Sequence, residues 1–220
     1  MLKRVVINNK KVPVPVPVQT LDDALRWVED TLVPAGHTIT RVSLDDKLLT
    51  GREPDPSVKG ETLLDDESRL EIQIDSPTDL TIQTLDAIRN LSAVMLASLK
   101  ALAVECWQAR GSVRPGELDA VLNDGELLLD LIEHVTGLVD AQHAEAAAIQ
   151  GIAGILKRAA VGLAMARANS DWKGAAKILL NKIEPLLKDL TAEAETMHVR
   201  IATLPTSAPF TQRNTRAPAG

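Results

Sequence analysis

One pattern near the C-terminus could carry metal chemistry. Glu195 and His198 have the Glu-x-x-His spacing used by carboxylate-bridged two-metal sites in helical bundles, and Asp140 with His143 is a near match. Helical phase puts Glu195 and His198 opposite the apolar side of their helix, so we expect them to face water. Asp140 and His143 fall at an expected helix end. We therefore predict no metal site and no cofactor, and a metal-dependent enzyme remains the third reading of the chain.

The single cysteine and the glycines also fail to support a catalytic site. Cys106 lies on an apolar stripe with no histidine near it in sequence, so we expect a buried structural thiol. Gly151 and Gly154 are separated by two residues, but no Lys-Ser/Thr pair follows as a phosphate-binding loop requires. The sequence therefore favours a protein that is not an enzyme.

Composition excludes several classes of binding protein. The chain has 220 residues, of which 45% are hydrophobic and 25% charged, a net charge of -6 and a mean hydropathy of +0.01. These values are typical of a soluble globular chain and not of a basic nucleic-acid binder. Three Trp, one Phe and no Tyr argue against a base-stacking platform.

The sequence predicts a cytoplasmic protein without a membrane span. The first residues, MLKRVVINNKK, lack the apolar core of a signal peptide, and no run of 18 apolar residues follows. Lys157 and Arg158 interrupt the most alanine-rich stretch.

The chain divides by composition into three segments. Short β-branched runs broken by Pro, Gly and Asn occupy residues 1–75, and long Ala- and Leu-rich stretches occupy residues 76–203. The last segment, 204–220, is rich in Thr, Ser, Ala, Pro and Arg, so we expect disorder there. Acidic residues outnumber basic ones by 14 to 10 in the first segment and by 16 to 12 in the second, so this count shows no polarised domain.

Alternating prolines make one strand of the first segment distinctive. Between Lys11 and Val18, valines alternate with Pro13, Pro15 and Pro17. Residues two apart in a strand direct their N–H groups to the same side, so the prolines remove every donor on that side. The segment is therefore predicted to be an edge strand. The alternative is a polyproline II segment that binds a partner's groove.

The element order of residues 1–75 resembles the β-grasp, or ubiquitin-like, fold. A hairpin turning at Asn8-Asn9 precedes a helix over 21–33 that is capped by Thr20 and Asp23. Further strands are predicted over 38–44 and 70–74. In that family the second strand is an edge, in agreement with the proline pattern. Asp75 runs into Ser76 without a Gly-Gly terminus, so conjugation chemistry is not implied.

Residues 76–203 are predicted to form an antiparallel four-helix bundle, which makes the chain an α+β protein. The first helix begins at Ser76-Pro77 and runs to about Arg110, and the second begins at Glu117. The third, 144–168, is rich in small residues, so we expect it to be the central helix. The fourth begins near Ser170, and Pro185 is expected to kink it. Its segment 171–188 resembles uncharacterised bacterial proteins that pair a small β-containing domain with a helical bundle.

The leading functional hypothesis is a non-enzymatic adaptor or assembly factor that binds a protein partner through its bundle. Trp107 and Trp172, both near helix ends, are the candidate partner-binding residues. Homodimerisation through the small-residue helix is also expected. The alternative is a protein resembling the chaperones of secretion or flagellar export, which are often small acidic helical bundles.

Overall fold

The chain forms two compact units. A computed structural model describes residues 2–14, 17–49, 62–109, 115–139 and 144–203. The units divide between residues 1–81 and 82–220. The predicted disordered segment 204–220 and the pair Asp140 and His143 lie outside the described residues.

The N-terminal unit is a mixed sheet with one helix. Its strand order is β2-β1-β5-β3-β4; the pair β1 and β5 is parallel and the other pairs are antiparallel. The core of the unit lies between the sheet and the helix, and Val5, Val28 and Leu70 are fully buried there. The elements are β1 (Arg4–Ile7), β2 (Lys10–Pro13), α1 (Leu21–Thr31), β3 (Thr38–Leu44), β4 (Lys47–Leu48) and β5 (Leu70–Asp75).

Two tight turns join the antiparallel strands of this sheet. Asn8 and Asn9 adopt positive φ values of 47° and 64°, as predicted for the first hairpin. Asp45 and Asp46 adopt 49° and 64° and form a second hairpin, which pairs β3 with β4. Strand β4 was not predicted from the sequence. Asp also tolerates positive φ, so the pair was a usable hairpin signal.

The structure confirms that β2 is an edge strand. It pairs with β1 and stands at the end of the sheet order. The strand ends at Pro13, earlier than predicted, although Val14 N still donates to Lys3 O at 3.1 Å. Val12, Val14 and Val18 pack on the core of the unit. Pro15 lies outside the described residues.

Helix α1 begins with the predicted capping box. The Asp23 N–H donates to Thr20 Oγ1 at 3.1 Å, and the Thr20 N–H donates to Asp23 Oδ2 at 3.2 Å. Hydrogen bonds from the side chain and the backbone of Thr20 to the Asp23 carboxyl lower the pKa of that carboxyl below its ordinary value. Local sequence therefore determines where this helix starts.

The second unit is helical throughout its described length. Each helix places one apolar side on a shared core, in which Leu99, Leu128 and Leu163 are fully buried. Short connections join consecutive helices. The elements are α2 (Pro77–Gln108), α3 (Pro115–Leu138), α4 (Ala144–Ala168), α5 (Trp172–Ile178), a π-helical segment (Leu179–Ile183) and α6 (Glu184–Thr203).

A π-helical segment precedes Pro185, where sequence analysis expected only a kink. The Glu184 N–H donates to Leu179 O, five residues back, instead of the usual four. Pro185 has no N–H, and its ring would clash with the preceding turn of a regular helix. Widening that turn accommodates the proline and lets the chain continue directly into α6.

The apolar stripe predicted for α2 is confirmed. Leu85, Ile88, Met95 and Cys106 are all buried. Ser92, the one polar member of the stripe, is fully buried as well, and its hydroxyl has no hydrogen-bond partner among the described residues. An unpaired buried hydroxyl costs free energy.

Replacing Ser92 by alanine is therefore expected to raise the free energy of unfolding by about 1 kcal/mol, since the methyl group needs no partner. Urea denaturation measures the change. Ser98 is the matched control: it lies on the exposed side of α2, and its Oγ donates to Met95 O at 3.0 Å. Ser98→Ala should change stability by less than about 0.5 kcal/mol. A loss of stability in Ser92→Ala would contradict the absence of a hydrogen-bond partner.

Candidate functional site

The predicted carboxylate–histidine pair lies in an ion-pair cluster between two helices. Glu195 Oε2 of α6 is 2.5 Å from Arg89 Nη2 of α2, and Asp86 Oδ1 is 3.1 Å from Arg89 Nη1. His198 Nε2 is 3.6 Å from Asp86 Oδ1. The expectation that this pair faces open water was wrong for His198, whose side chain is only 25% exposed because α2 covers it.

This cluster is organised as an ion-pair network. The Arg89 guanidinium sits between two carboxylates and neutralises the charge that a cation would need. Within the ranges that the structure describes, no group of three or more His, Cys, Asp or Glu residues could hold a metal ion. The ion pairs of Arg89 with Asp86 and Glu195 therefore link α2 to α6.

A second carboxylate on the same side of α6 is also neutralised. Glu184 Oε1 lies 2.8 Å from Lys188 Nζ and 3.7 Å from Lys100 Nζ, and the Glu184 side chain is 12% exposed. The hydrogen bond from Lys188 and the charges of both lysines lower the pKa of the Glu184 carboxyl. A carboxyl with a lowered pKa is ionised at neutral pH and is not available as a general acid.

Cys106 is buried, as predicted. Burial raises the pKa of its thiol, and the nearby charges of Glu105 and Glu117 raise it further. The thiol is therefore protonated at neutral pH, which is the opposite of what a nucleophile requires.

The two candidate tryptophans differ in environment. Trp107, near the end of α2, is 55% exposed. Trp172, at the start of α5, is partly buried and packs on the helical core. Trp107 has the accessible ring that a partner contact needs, whereas Trp172 contributes to the packing of its own unit. Their role in partner binding stays a prediction.

The largest departure from expectation is on α4. It packs on α3, α5 and α6, as expected of a central helix, but several of its small residues, including Gly151 and Gly154, are exposed. Three large side chains on the same side are also exposed: Ile155 at 46%, Val161 at 56% and Met165 at 61%. We call this surface the α4 face. It consists of Ala147, Gly151, Gly154, Ile155, Val161, Ala164, Met165 and Ala168, and the exposed side chains of Lys157 and Arg158 lie among them.

Within the part of the chain that the structure describes, no neighbouring element packs on the glycines of the α4 face. A Cβ atom built at Gly151 would meet no atom within 4 Å, and one at Gly154 would meet only the Arg158 guanidinium at 3.9 Å. Glycine in a helix interior costs roughly 1 kcal/mol relative to alanine. The predicted close packing inside the bundle therefore holds for Ala146 and Ala159, which are buried in the helical core, but not for Gly151 and Gly154. No described helix of this chain lies against them.

Charge is segregated among the helices that border the α4 face. Helix α3 has no Lys or Arg and six acids: Glu117, Asp119, Asp124, Glu126, Asp130 and Glu133. The segment from α4 through the π-helical turn has only Glu145 and Asp171 as acids, against six bases: Lys157, Arg158, Arg167, Lys173, Lys177 and Lys182. Arg167 pairs with Asp119, but the other bases have no ion-pair partner among the described residues.

This segregation was not predicted, because the charges of the helical domain taken together do not reveal it. The sum over 76–203 hides a wholly acidic helix beside a largely basic one. A count made helix by helix would have found the asymmetry.

A concave surface lies on the sheet of the N-terminal unit, with a volume of about 450 Å³ and a lining that includes Arg41, Glu71 and Asp75. Asp75 is buried there and accepts hydrogen bonds from Thr40 Oγ1 at 2.6 Å and Gln73 Nε2 at 3.0 Å. Its carboxylate is thus engaged by neighbouring side chains of the sheet.

Two helices, Pro77–Gln108 and Glu145–Ala168, are long and apolar enough to cross a membrane. A core helix of a soluble protein meets the same criteria, so this finding is weak evidence of location. Both helices contribute buried side chains to the helical core. The cytoplasmic location stays a prediction.

No protein-family model matches the chain, and the comparisons with curated proteins and with solved structures likewise found no match.

Proposed function

We propose that this protein is a non-enzymatic cytoplasmic adaptor or assembly factor that binds another protein through the α4 face of its helical unit. The observation that carries the proposal is the exposure of this apolar, glycine-bearing surface. Contiguous exposed apolar surface that is rimmed by charged residues is typical of interaction sites. Two glycines allow a partner helix to approach the α4 backbone closely.

The state of the ionisable groups supports binding over catalysis. Glu184 and Glu195 are each paired with basic side chains, and the thiol of Cys106 is protonated. Catalytic groups need pKa values that are tuned towards neutrality and a position in a cleft. The pKa of Glu184 is lowered and that of Cys106 is raised, so both move away from neutrality, and Glu195 is held in an ion pair with Arg89.

Two finer statements about the fold belong to the same proposal. We infer that the N-terminal unit is a β-grasp domain; its order of hairpin, helix and further strands and the edge position of β2 support this. The helical unit is proposed to be an antiparallel four-helix bundle in which α5, the π-helical segment and α6 together form the fourth helix. The direct continuity of these three elements supports the bundle.

Val161→Asp provides the test of the α4 face. The substitution places a charge at the centre of the face and should abolish capture of a specific partner in crosslinking pull-downs analysed by mass spectrometry. Val199→Asp is the matched control, because Val199 is 52% exposed on α6 and lies outside the face. The proposal would be contradicted if both variants lost the same captured proteins, or if both retained them. Circular dichroism verifies that both variants fold.

A further inference from the structure

We propose that the α4 face binds a second copy of this chain, with the two copies related by a two-fold axis parallel to α4. This inference rests on the proposed function, because it names the partner for the same face. It is carried by charge complementarity: the chain has an acidic surface on one side of the α4 face and a basic surface on the other. The apolar residues of the α4 face, with Lys157 and Arg158 among them, lie between these two surfaces.

Two contacts place α3 and α5 on opposite sides of α4. Arg167 of α4 pairs with Asp119 of α3, whereas a Cβ at Gly162 of α4 would lie 3.5 Å from Ile178 Cδ1. Residues five apart are separated by about 140° around a helix, and the buried Leu163 lies within that arc. The α4 face occupies the remaining arc, so α3 borders it on one side and α5 on the other.

A two-fold axis parallel to α4 exchanges these sides. It sets α3 of one copy against α5 and the π-helical segment of the other, so that acidic residues meet basic ones twice in a closed, isologous contact. A perpendicular axis would make the two α4 helices antiparallel and set α3 against α3. That arrangement opposes two acidic helices and is disfavoured.

The heights of the charges along α4 agree with the parallel arrangement. Helices α3 and α4 are antiparallel, because Asp119 near the start of α3 pairs with Arg167 near the end of α4. Arg158 lies nine residues before Arg167 on α4. Because the helices are antiparallel, it is level with the residue nine positions after Asp119 on α3, in the turn that carries Glu126 and Asp130. The proposed axis preserves height, so Arg158 of one copy meets this acidic pair of the other.

The same count on the other side adds a second cation. Gly162 of α4 lies next to Ile178 of α5. Arg158 is four residues before Gly162 on α4, and Lys182 is four residues after Ile178 in the π-helical segment. Arg158 and Lys182 are exposed and lie at one height. Both therefore approach the Glu126–Asp130 pair of the second copy, and the glycines of the α4 face allow the two α4 helices to come close.

A charge-swap experiment on the full chain tests this inference. The acidic variant carries Lys173→Glu, Lys177→Glu and Lys182→Glu, and the basic variant carries Glu126→Lys, Asp130→Lys and Glu133→Lys. Sedimentation velocity and native mass spectrometry measure association at about 50 mM and about 500 mM NaCl. We expect the wild type to dimerise, and more weakly at the higher salt concentration. Each variant alone should lose at least about tenfold in dimer affinity, and an equimolar mixture should form the heterodimer.

The control variant carries Lys10→Glu, Lys11→Glu and Lys47→Glu, which are exposed in the N-terminal unit and change the net charge by the same amount. It should dimerise like the wild type. If a triple variant fails to fold by circular dichroism, Lys182→Glu mixed with Asp130→Lys is the replacement pair.

A mixture that stays monomeric would overturn the inference, as would equal losses in the control. The wild type could instead be monomeric and capture a different protein, with that capture lost in Val161→Asp. This result would overturn the inference of a dimer and leave the proposed function standing. A dimer that Val161→Asp does not weaken would overturn both.

Discussion

Replacing Gly151 and Gly154 by alanine is expected to make the isolated chain more stable and less able to associate. Among the described residues, no atom lies within 4 Å of a Cβ at Gly151, and only the flexible Arg158 side chain approaches one at Gly154. Alanine therefore brings its full helix preference, about 1 kcal/mol at each site. The same methyl groups would hold a partner helix away from α4, so association should weaken.

The two effects are separable by measurement. Thermal unfolding at low protein concentration reports the gain in stability, and sedimentation velocity reports the loss of association. Gly137→Ala is the control, because Gly137 is exposed on α3 with no atom within 4 Å of its Cβ position. This control should stabilise the chain without affecting association. If Gly151→Ala and Gly154→Ala stabilise the chain and leave association unchanged, the glycines do not serve a close helix contact.

Leu99→Ala is expected to destabilise the helical unit by about 2–5 kcal/mol, the largest effect of any substitution considered. Leu99 is fully buried in the helical core, so truncation removes buried apolar surface and leaves a cavity. Val104 lies on the same helix but is 52% exposed. Val104→Ala should change the free energy of unfolding by less than about 0.5 kcal/mol.

This pair of variants also tests the environment of α2, which is long and apolar enough to cross a membrane. In water, only the inward-facing residue contributes strongly to folding. In a lipid bilayer, both residues would lie among apolar neighbours. Equal effects of Leu99→Ala and Val104→Ala on chemical denaturation of the purified protein would therefore contradict a water-exposed outer side of α2.

The elements that sequence analysis placed correctly are those with local causes. The capping box of Thr20 and Asp23 starts α1, and β3 occupies the predicted residues 38–44. The stripe that includes Leu85 and Leu99 is buried as its spacing predicted. Each of these signals depends on residues close together in the chain, so no knowledge of tertiary neighbours was needed.

The features that were missed depend on what lies opposite a residue in space. Small residues on α4 correctly indicated a helix that can be approached closely, but the sequence does not say whether the approaching helix belongs to the same chain. Strand β2 ends before its last prolines because strand length depends on β1, its pairing partner. For the candidate site, Trp107 lies near a helix end in the structure as in the sequence prediction, and its role in partner binding stays a prediction. The α4 face could be identified only once the exposure of each residue was known.

The parallel pairing of β1 with β5 has a consequence for biosynthesis. β5 is the last strand of the N-terminal unit to leave the ribosome, yet it lies at the centre of the sheet, between β1 and β3. The first hairpin emerges about 60 residues before the strand it must join, and closing so long a loop is slow. Each helix of the second unit, by contrast, follows its neighbour after a short connection. We therefore expect β1 of the first hairpin to lack its β5 partner until residue 75 has emerged from the ribosome. During that time the proline-bearing edge strand should limit pairing with other chains.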